Sequence, residues 1–516
     1  MLGISNGKSI IWCQVWTVCV SSLLLLLIGR ASAEPLELQG IDNTVQQIQT
    51  RLKIPGISLA VVRGDQVLYT QGYGVRALNK KDRVDNQTLF ALGSVSKAFT
   101  ATALGLLVHE RKLSWDDPLA KYLPDFSVAD PYVSDQLSVR DALSHRTGLD
   151  PSNGLMMANP QMGRKTMLKR MQHLEQVRPF RAAYLYNNLM YIAVSELIPA
   201  ITGDSWETQI TNRLLTPLGM ENSIANSGTQ RHPRNTATPH ASGEQGVYAI
   251  DYYDMTTAAP AGGILSSAND MGQWCRAQLQ DGKVGGEQRI AAGIINTTHQ
   301  GVIRANRPEE QDFDQGKMFS LYAMGWSQKD YRGQLMISHG GGIDGMSAYV
   351  SMLPQQDICV VTLSNLSPAA STHRGLFSLH NWIYDRFLDV EDKDWLAHLD
   401  QLLEMREQQQ AKRAQRSGAT RVAGTQPSHS VDAYLGTYRN VLQGDIVVSR
   451  NSNGLRMQYG EIYTGDLKHW HYNTFKFNFD APGQPDITIQ FFLDSEGNIT
   501  AMGPGINDAF RFARVK

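Results

Sequence analysis

Cysteine is scarce in this chain. Four occur in 516 residues, and two of them, Cys13 and Cys19, fall in an apolar N-terminal stretch. The other two, Cys275 and Cys359, have neither the spacing of a zinc site nor that of a redox motif. Two thiols allow one bridge, but buried free thiols are the expectation here. Net charge is almost absent as well. The 48 Lys and Arg nearly balance the 49 Asp and Glu, leaving −1. That removes the electrostatic footprint of a nucleic-acid partner. No internal repeat and no long low-complexity tract is found.

Several catalytic signatures are missing too. His109-Glu110-Arg111-Lys112-Leu113 fails the H-E-x-x-H zinc pattern, because a leucine stands at 113. His469 and His471 share a strand face, but two ligands are too few for a metal. Outside Gly3-Ile4-Ser5-Asn6-Gly7 in the N-terminal stretch, no G-x-S-x-G elbow occurs, which argues against an α/β-hydrolase. Gly340, Gly342 and Gly345 fit G-x-G-x-x-G, yet a strand follows rather than a helix, so a dinucleotide site is rejected. No cofactor and no metal is expected.

Long apolar runs are confined to the N-terminus. Met1 to Arg30 carries only Lys8 and Arg30 as charges around Leu23-Leu24-Leu25-Leu26-Leu27-Ile28, and Ala31-Ser32-Ala33 follows. This reads as a secretory signal peptide, residues 1–33, cut after Ala33, which implies a secreted or periplasmic protein. An uncleaved membrane anchor is the alternative, and membrane association is expected only through this segment.

What is present is organised around Gly93-Ser94-Val95-Ser96-Lys97. Ser94 and Lys97 are three apart, about one helical turn, at the start of the Ala- and Leu-rich run 97–107. A helix N-terminus offers free N–H groups and a positive dipole end to developing negative charge. Serine becomes a nucleophile only when a base takes its proton. Lys97 can do so if its pKa falls from about 10.4 to about 7, which takes roughly 4–5 kcal/mol of desolvation or charge repulsion. The reading therefore requires a buried Lys97. Its bland competitor is a helix cap followed by a surface lysine.

Two later stretches add polar groups. Tyr186-x-Asn188 is expected on a short loop, placing a phenol that relays a proton beside an amide that holds a substrate carbonyl. Ile337-Ser338-His339-Gly340-Gly341-Gly342 follows a strand and has almost no side chains after His339. Such a backbone can approach a ligand and offer N–H groups to an oxyanion.

Around these motifs, 56–74 reads as a β-hairpin about Arg63-Gly64-Asp65. Residues 116–260 alternate helical pieces with Gly, Pro and Asn breaks. Strands are expected at 322–326, 334–338, 347–353 and 358–363, with helices near 269–279 and over 371–387. One α/β region thus forms from both ends of the segment, with a mostly helical region inserted. A charged helix at 393–416 and a linker at 417–430 lead to a second domain, 431–516. Its short alternating runs suggest a small β-barrel or sandwich.

Ser-x-x-Lys, Tyr-x-Asn and His-x-Gly in this order resemble the three active-site motifs of class C β-lactamase and D-alanyl carboxypeptidase-like serine hydrolases, within the penicillin-recognising superfamily. Leu143-Ser144-His145-Arg146-Thr147-Gly148-Leu149, Leu218-Gly219-Met220 and 260–267 are similar to further stretches of that family. The resemblance covers about 40–390. It implies a β-lactamase/transpeptidase-like α/β fold: a mainly antiparallel sheet with flanking helices and an inserted all-α region, in a hydrolase domain at 34–390. Residues 391–430 would be helix and linker. Tyr434-Leu435-Gly436-Thr437-Tyr438 opens a stretch that resembles the lipocalin-like β-barrel attached to many such hydrolases.

The resemblance also implies roles. Ser94, Lys97 and Tyr186 would be catalytic. The N–H groups of Ser94 and Gly342 would form the oxyanion hole, Asn188 would hold the substrate amide, and Gly341 would border it. His339 would contact Tyr186 or a substrate carboxylate. The partner would be a small molecule or short peptide: a D-amino-acid peptide, an ester or a β-lactam. A lysine is usual in class C at the position of His339, whereas histidine is typical of the esterases and D-peptidases. Arg146 is longer than the usual residue there, and the sequence offers no role for it. A catalytically idle protein that binds cell-wall peptides or penicillin is the alternative function.

Overall fold

The apolar run at 56–63 is the second strand of a large antiparallel sheet. The computed structural model describes residues 35–515 except 152, 227, 229–233, 244, 306–317, 369, 392, 420, 453, 482–485 and 505–509. The leader expected at 1–33 lies outside these. The chain divides into Met1–Ile41, where a 3₁₀ turn covers Leu36–Leu38, and Asp42–Lys516, which holds everything described below.

The sheet contains β1 (Gly56–Arg63), β2 (Gln66–Gly74), β3 (Ile303–Arg304), β4 (Ser320–Tyr322), β5 (Ser327–Tyr331), β6 (Gln334–Ile343), β7 (Met346–Leu353) and β8 (Ile358–Ser364). Their order is β2-β1-β8-β7-β6-β5-β4-β3. The two ends of the hydrolase segment therefore meet where β1 pairs with β8, Ile57 opposite Ser364. One expected strand, 322–326, is interrupted. β4 stops at Tyr322 and β5 begins at Ser327, because Gly325 (φ +83°) turns the chain against a helix backbone. A β-carbon there would press on Lys97 O and Ala98 Cα at 2.9 Å.

That helix, α1 (Ser96–His109), is buried on every side from Ser96 to Leu107, as an Ala- and Leu-rich helix without a charged face should be. The helical insert includes α2 (Gly154–Ala158), α3 (Asn188–Ser195) and α4 (Ala259–Gly262). It also carries one short hairpin, His240–Gly243 with Gly246–Ala249. α5 (Ala268–Leu279) packs against β1, β2 and β8, and α6 (Ala370–Phe387) packs against β7. Alternation along the strands assigns the two faces. Cys359, Val361 and Leu363 of β8 join the main core, while Thr362 of β8 and Ser351 of β7 hydrogen-bond His380 of α6. α7 (Trp395–Ala419) then packs on α6. Among the described residues, no helix is long and apolar enough to cross a membrane.

The expectation of free thiols is corrected. Cys275 on α5 and Cys359 on β8 form a disulfide, with α-carbons 5.9 Å apart across 84 residues of sequence. Only the seating of α5 on the sheet brings them together, and no local spacing could announce that.

The C-terminal strands close on themselves. β9 (Gly436–Asn440), β10 (Gly444–Asn451), β11 (Gly454–Tyr459), β12 (Tyr463–His471), β13 (Thr474–Phe479), β14 (Ile487–Leu493), β15 (Ile499–Gly503) and β16 (Phe512–Arg514) form an antiparallel barrel. β16 pairs back onto β9 through Tyr438–Arg514 and Arg439–Ala513. Closure removes both sheet edges, so the sandwich alternative falls away. The interior is filled by Tyr434, Tyr438, Phe475, Phe477, Phe491 and Phe512 among others. The barrel touches the hydrolase region at α2: the Glu461 N–H donates to Ala158 O at 2.7 Å. A β-carbon on Gly154 would meet Gln443 and Tyr459 at 2.7 and 2.9 Å.

Candidate active site

Ser94 sits two residues before the first residue of the helix. Gly93–Val95 form a 3₁₀ turn that runs into α1 at Ser96. Gly93 takes φ +51°, a conformation that costs glycine little. Lys97, in the first turn of α1, has no exposed surface. Its Nζ lies 2.9 Å from Ser94 Oγ and 2.7 Å from Ala261 O. The Ala261 carbonyl is aimed by α4, which Thr100 ties to α1 by donating to Pro260 O at 2.8 Å. Next to it, Ser96 Oγ accepts from the Ile264 N–H at 3.1 Å.

Removing an ammonium from water costs several kcal/mol. Burial accordingly holds the Lys97 pKa well below the ordinary lysine value. A neutral amine donates one N–H to Ala261 O and keeps its lone pair for the Ser94 hydroxyl proton. The condition set by the sequence, a buried Lys97 beside Ser94, is met.

Phenol rings wall the amine. Nζ lies 4.8 Å from the Tyr186 ring centre and 5.3 Å from that of Tyr191. Tyr186 is on the loop before α3. Asn188 is not on that loop but is the first residue of the helix, and Asn187 is its cap, accepting from the Leu189 N–H at 2.9 Å. Asn188 Nδ2 donates to Asn153 Oδ1 at 3.2 Å.

His145, quoted above only as part of a resemblance, is a central part of this wall. It is buried, with φ +59°, and its Nδ1 accepts from the Asn187 N–H at 3.1 Å. Its ring centre lies 4.2 Å from Tyr186, 4.8 Å from Tyr322 and 5.3 Å from Tyr191. Arg146 also gains a role. Its Nε donates to Asp141 at 2.5 Å, and Arg181 reaches the same fully buried carboxylate at 2.7 Å. Burial pushes the Asp141 carboxyl up, but hydrogen bonds from Arg181 and Ser138 and the Arg146 charge bring it below the ordinary value.

His339, on β6, has its ring centre 6.4 Å from that of Tyr186. Its Nδ1 donates to Gly340 O at 2.7 Å, which leaves Nε2 to accept from the Tyr322 hydroxyl at 2.9 Å. Tyr322 escaped sequence reading because nothing local ties it to His339. The following glycines bring β6 against the Ser94 turn. A β-carbon on Gly341 would stand 3.2 Å from Ser94 N. One on Gly93 would fall within 3.0 Å of both Gly342 N and Gly341 C. The amides of Ser94 and Gly342 are therefore neighbours.

Two cavities meet at Ser94. An open cleft of about 660 Å³ is lined by Ser94, Tyr184, Tyr186, His339, Gly340 and Gly341, with Lys329, His373 and Arg374 also on its wall. A smaller one of about 170 Å³ shares Ser94, Gly342 and Pro368 and is lined by Met156, Met157, Asn188, Tyr253 and Asp344.

Comparison with known proteins finds relatives of both regions of the chain. A family model described as Beta-lactamase matches residues 41–380, and one described as Domain of unknown function (DUF3471) matches 420–515. An unguisins hydrolase of Aspergillus violaceofuscus is 29% identical over 367 residues, 66% of this chain and 64% of its own length. This chain thus spans a little less than two thirds of that relative. Penicillin-binding protein 4 of Amycolatopsis lactamdurans is 28% identical over 336 residues, 64% of this chain and 86% of its own. Among solved structures, the octameric penicillin-binding protein homologue from Pyrococcus abyssi aligns with TM-score 0.59 at 18% identity, covering 93% of this chain and all of its own. A D-stereospecific amidohydrolase from Streptomyces aligns with TM-score 0.54 at 20% identity, covering 68% of this chain and 99% of its own. At these identities the two structures speak for the fold.

Proposed function

The chain belongs to the beta-lactamase family of serine hydrolases, and from that premise we propose that it cleaves amide or ester bonds through an acyl-enzyme on Ser94. The observation that carries this reading is Lys97 Nζ, with no exposed surface, 2.9 Å from Ser94 Oγ. The neutral amine takes the hydroxyl proton as Oγ attacks the carbonyl. Negative charge developing on the carbonyl oxygen is received by the N–H groups of Ser94 and Gly342; one such donor is worth roughly 3–4 kcal/mol. Lys97 and Tyr186 pass the proton to the departing group. Asn188 holds the acyl-side amide, Gly341 borders the substrate, and His339, with Tyr322, faces the departing half. Water then attacks the acyl-enzyme by the same route and regenerates Ser94.

His339, where class C enzymes usually carry a lysine, favours peptides and esters over β-lactams as substrates. The names of two similar proteins, an unguisins hydrolase and a D-stereospecific amidohydrolase, support amide cleavage. The site of action we propose is outside the cytoplasm. The leader-like residues 1–33 support this, as does the Cys275–Cys359 disulfide, which persists in oxidising compartments.

Parallel assays on p-nitrophenyl esters, D-alanine amides and nitrocefin test the reading. The expected result is turnover of the first two that Ser94→Ala abolishes. Ligand binding indifferent to Ser94→Ala, with no turnover anywhere, would mark a binding protein instead.

A further inference from the structure

The two cavities at Ser94 differ in charge. Tyr186 lines the larger and Asn188 the smaller. If Tyr186 protonates the departing group, the departing half of a substrate lies in the larger cavity and the acyl half in the smaller. Lys329 and Arg374 line the larger cavity. Among the described residues, the acidic group on the wall of the smaller one is Asp344.

Asp344 is held by a fixed backbone. It occupies the two-residue turn Asp344–Gly345 between β6 and β7, where Ile343 pairs with Met346. Gly345 (φ +83°) donates its N–H to Ser367 Oγ at 2.9 Å, and its carbonyl accepts from the His240 N–H at 3.1 Å. A β-carbon on Gly345 would overlap Pro239, so the turn cannot retreat. The remaining wall is largely apolar, with Met156, Met157 and Met255. Phenols and further acids are among the described residues around it. Asp344 acts on Tyr253 and Tyr463, and Asp254 and Glu461 also act on Tyr253. Burial raises the Asp344 pKa, and an ammonium bound beside the carboxylate would offset part of that desolvation.

Resting on the serine hydrolase reading, we propose that Asp344 receives the free ammonium group of the residue acylating Ser94, so that the substrates are aminoacyl esters and amides with an unblocked amine. A cavity of about 150 Å³ holds a benzene molecule; the 170 Å³ here therefore suits one small or medium amino-acid residue. The peptide is then shortened from its amino end by a single residue per acylation. The bond broken is the first peptide or ester bond. The departing amine or alcohol takes the proton that left Ser94, and water releases the free amino acid.

The test compares kcat/KM for D- and L-alanine p-nitroanilide with that for the N-acetylated forms. The expected wild-type preference for the free amine is about thirtyfold or more, the scale of a desolvated charge pair. In Asp344→Asn that preference should fall by about tenfold or more, since the amide keeps the shape but not the charge. Equal use of the blocked substrates, or a preference unchanged in Asp344→Asn, overturns the proposal. Turnover of p-nitrophenyl butyrate, which has no amine, reports separately on the hydrolase reading. If nothing is turned over, calorimetric binding of alaninamide and N-acetylalaninamide to Ser94→Ala decides the amine site: tighter binding of the unblocked amide supports it, and equal binding overturns it.

Discussion

A β-carbon on Gly93 would fall within 3.0 Å of the Gly342 amide nitrogen, which no real β-carbon tolerates. Gly93 also takes φ +51°. The glycine is what lets the Ser94 turn and β6 approach closely enough for two backbone N–H groups to share one oxygen. Gly93→Ala is expected to push them apart and lower kcat on esters by about 10²–10³, as losing one oxyanion donor does. An unchanged far-UV circular dichroism spectrum beside that loss would locate the effect at the site; undiminished kcat would contradict it.

Lys97 gives a pH dependence with a definite sign. Folding favours its neutral form, so kcat/KM should rise with pH and level off once the amine has lost its proton. The midpoint of that limb should lie well below 10.5, the ordinary lysine value. Stability follows the same group. Between the folded value and 10.5 the unfolded chain holds the extra proton, so this contribution grows as pH rises and is lost as pH falls through the folded value. Lys97→Met should abolish that slope in denaturant titrations and cut acylation by about 10²–10⁴, the range of a general base.

His145 acts through Tyr186. Its Nδ1 accepts from the Asn187 N–H, and its ring lies 4.2 Å from the phenol. His145→Ala leaves a buried donor unsatisfied and a hole beside the ring, for a cost of about 2–4 kcal/mol. His145→Asn, which tolerates positive φ and restores an acceptor, should recover part of the stability. A positioning role further predicts that kcat falls more than KM rises in His145→Ala. Loss of stability alone, with kinetics unchanged, would reduce His145 to a packing residue.

Joining Cys275 to Cys359 closes a loop of 84 residues. Chain-entropy accounting gives such a cross-link about 4–5 kcal/mol. Cys275→Ala/Cys359→Ala should unfold at correspondingly lower denaturant concentration while keeping its kcat, since neither sulfur reaches the cleft. The same midpoint as the wild type would show that the bridge contributes nothing.

How far the sequence foretold this depends on the range of each interaction. Ser94 and Lys97 were legible because one helical turn sets their distance. The 56–74 hairpin and the central helix were legible for the same local reason, and the order of three motifs located the cleft. Long-range pairs were not legible. The disulfide depends on α5 lying across β8. Tyr322 on β4 meets His339 on β6 with β5 between the two strands, and Arg146 and Arg181 converge on Asp141 from separate loops. Asn188 was placed on a loop because Asn187, not Asn188, caps its helix. Of β12, only the end carrying His469 and His471 was read as strand, because the inward alternation of the rest depends on Gly465 and Leu467, too weak a pattern to stand out.

Covalent labelling addresses the central claim. Folded protein treated with a fluorophosphonate and mapped by peptide mass spectrometry should carry one adduct, on Ser94. In Lys97→Met the labelling rate should drop by about 10²-fold or more. An adduct on another serine, or labelling of Ser94 that proceeds equally fast without the Lys97 amine, would contradict the account.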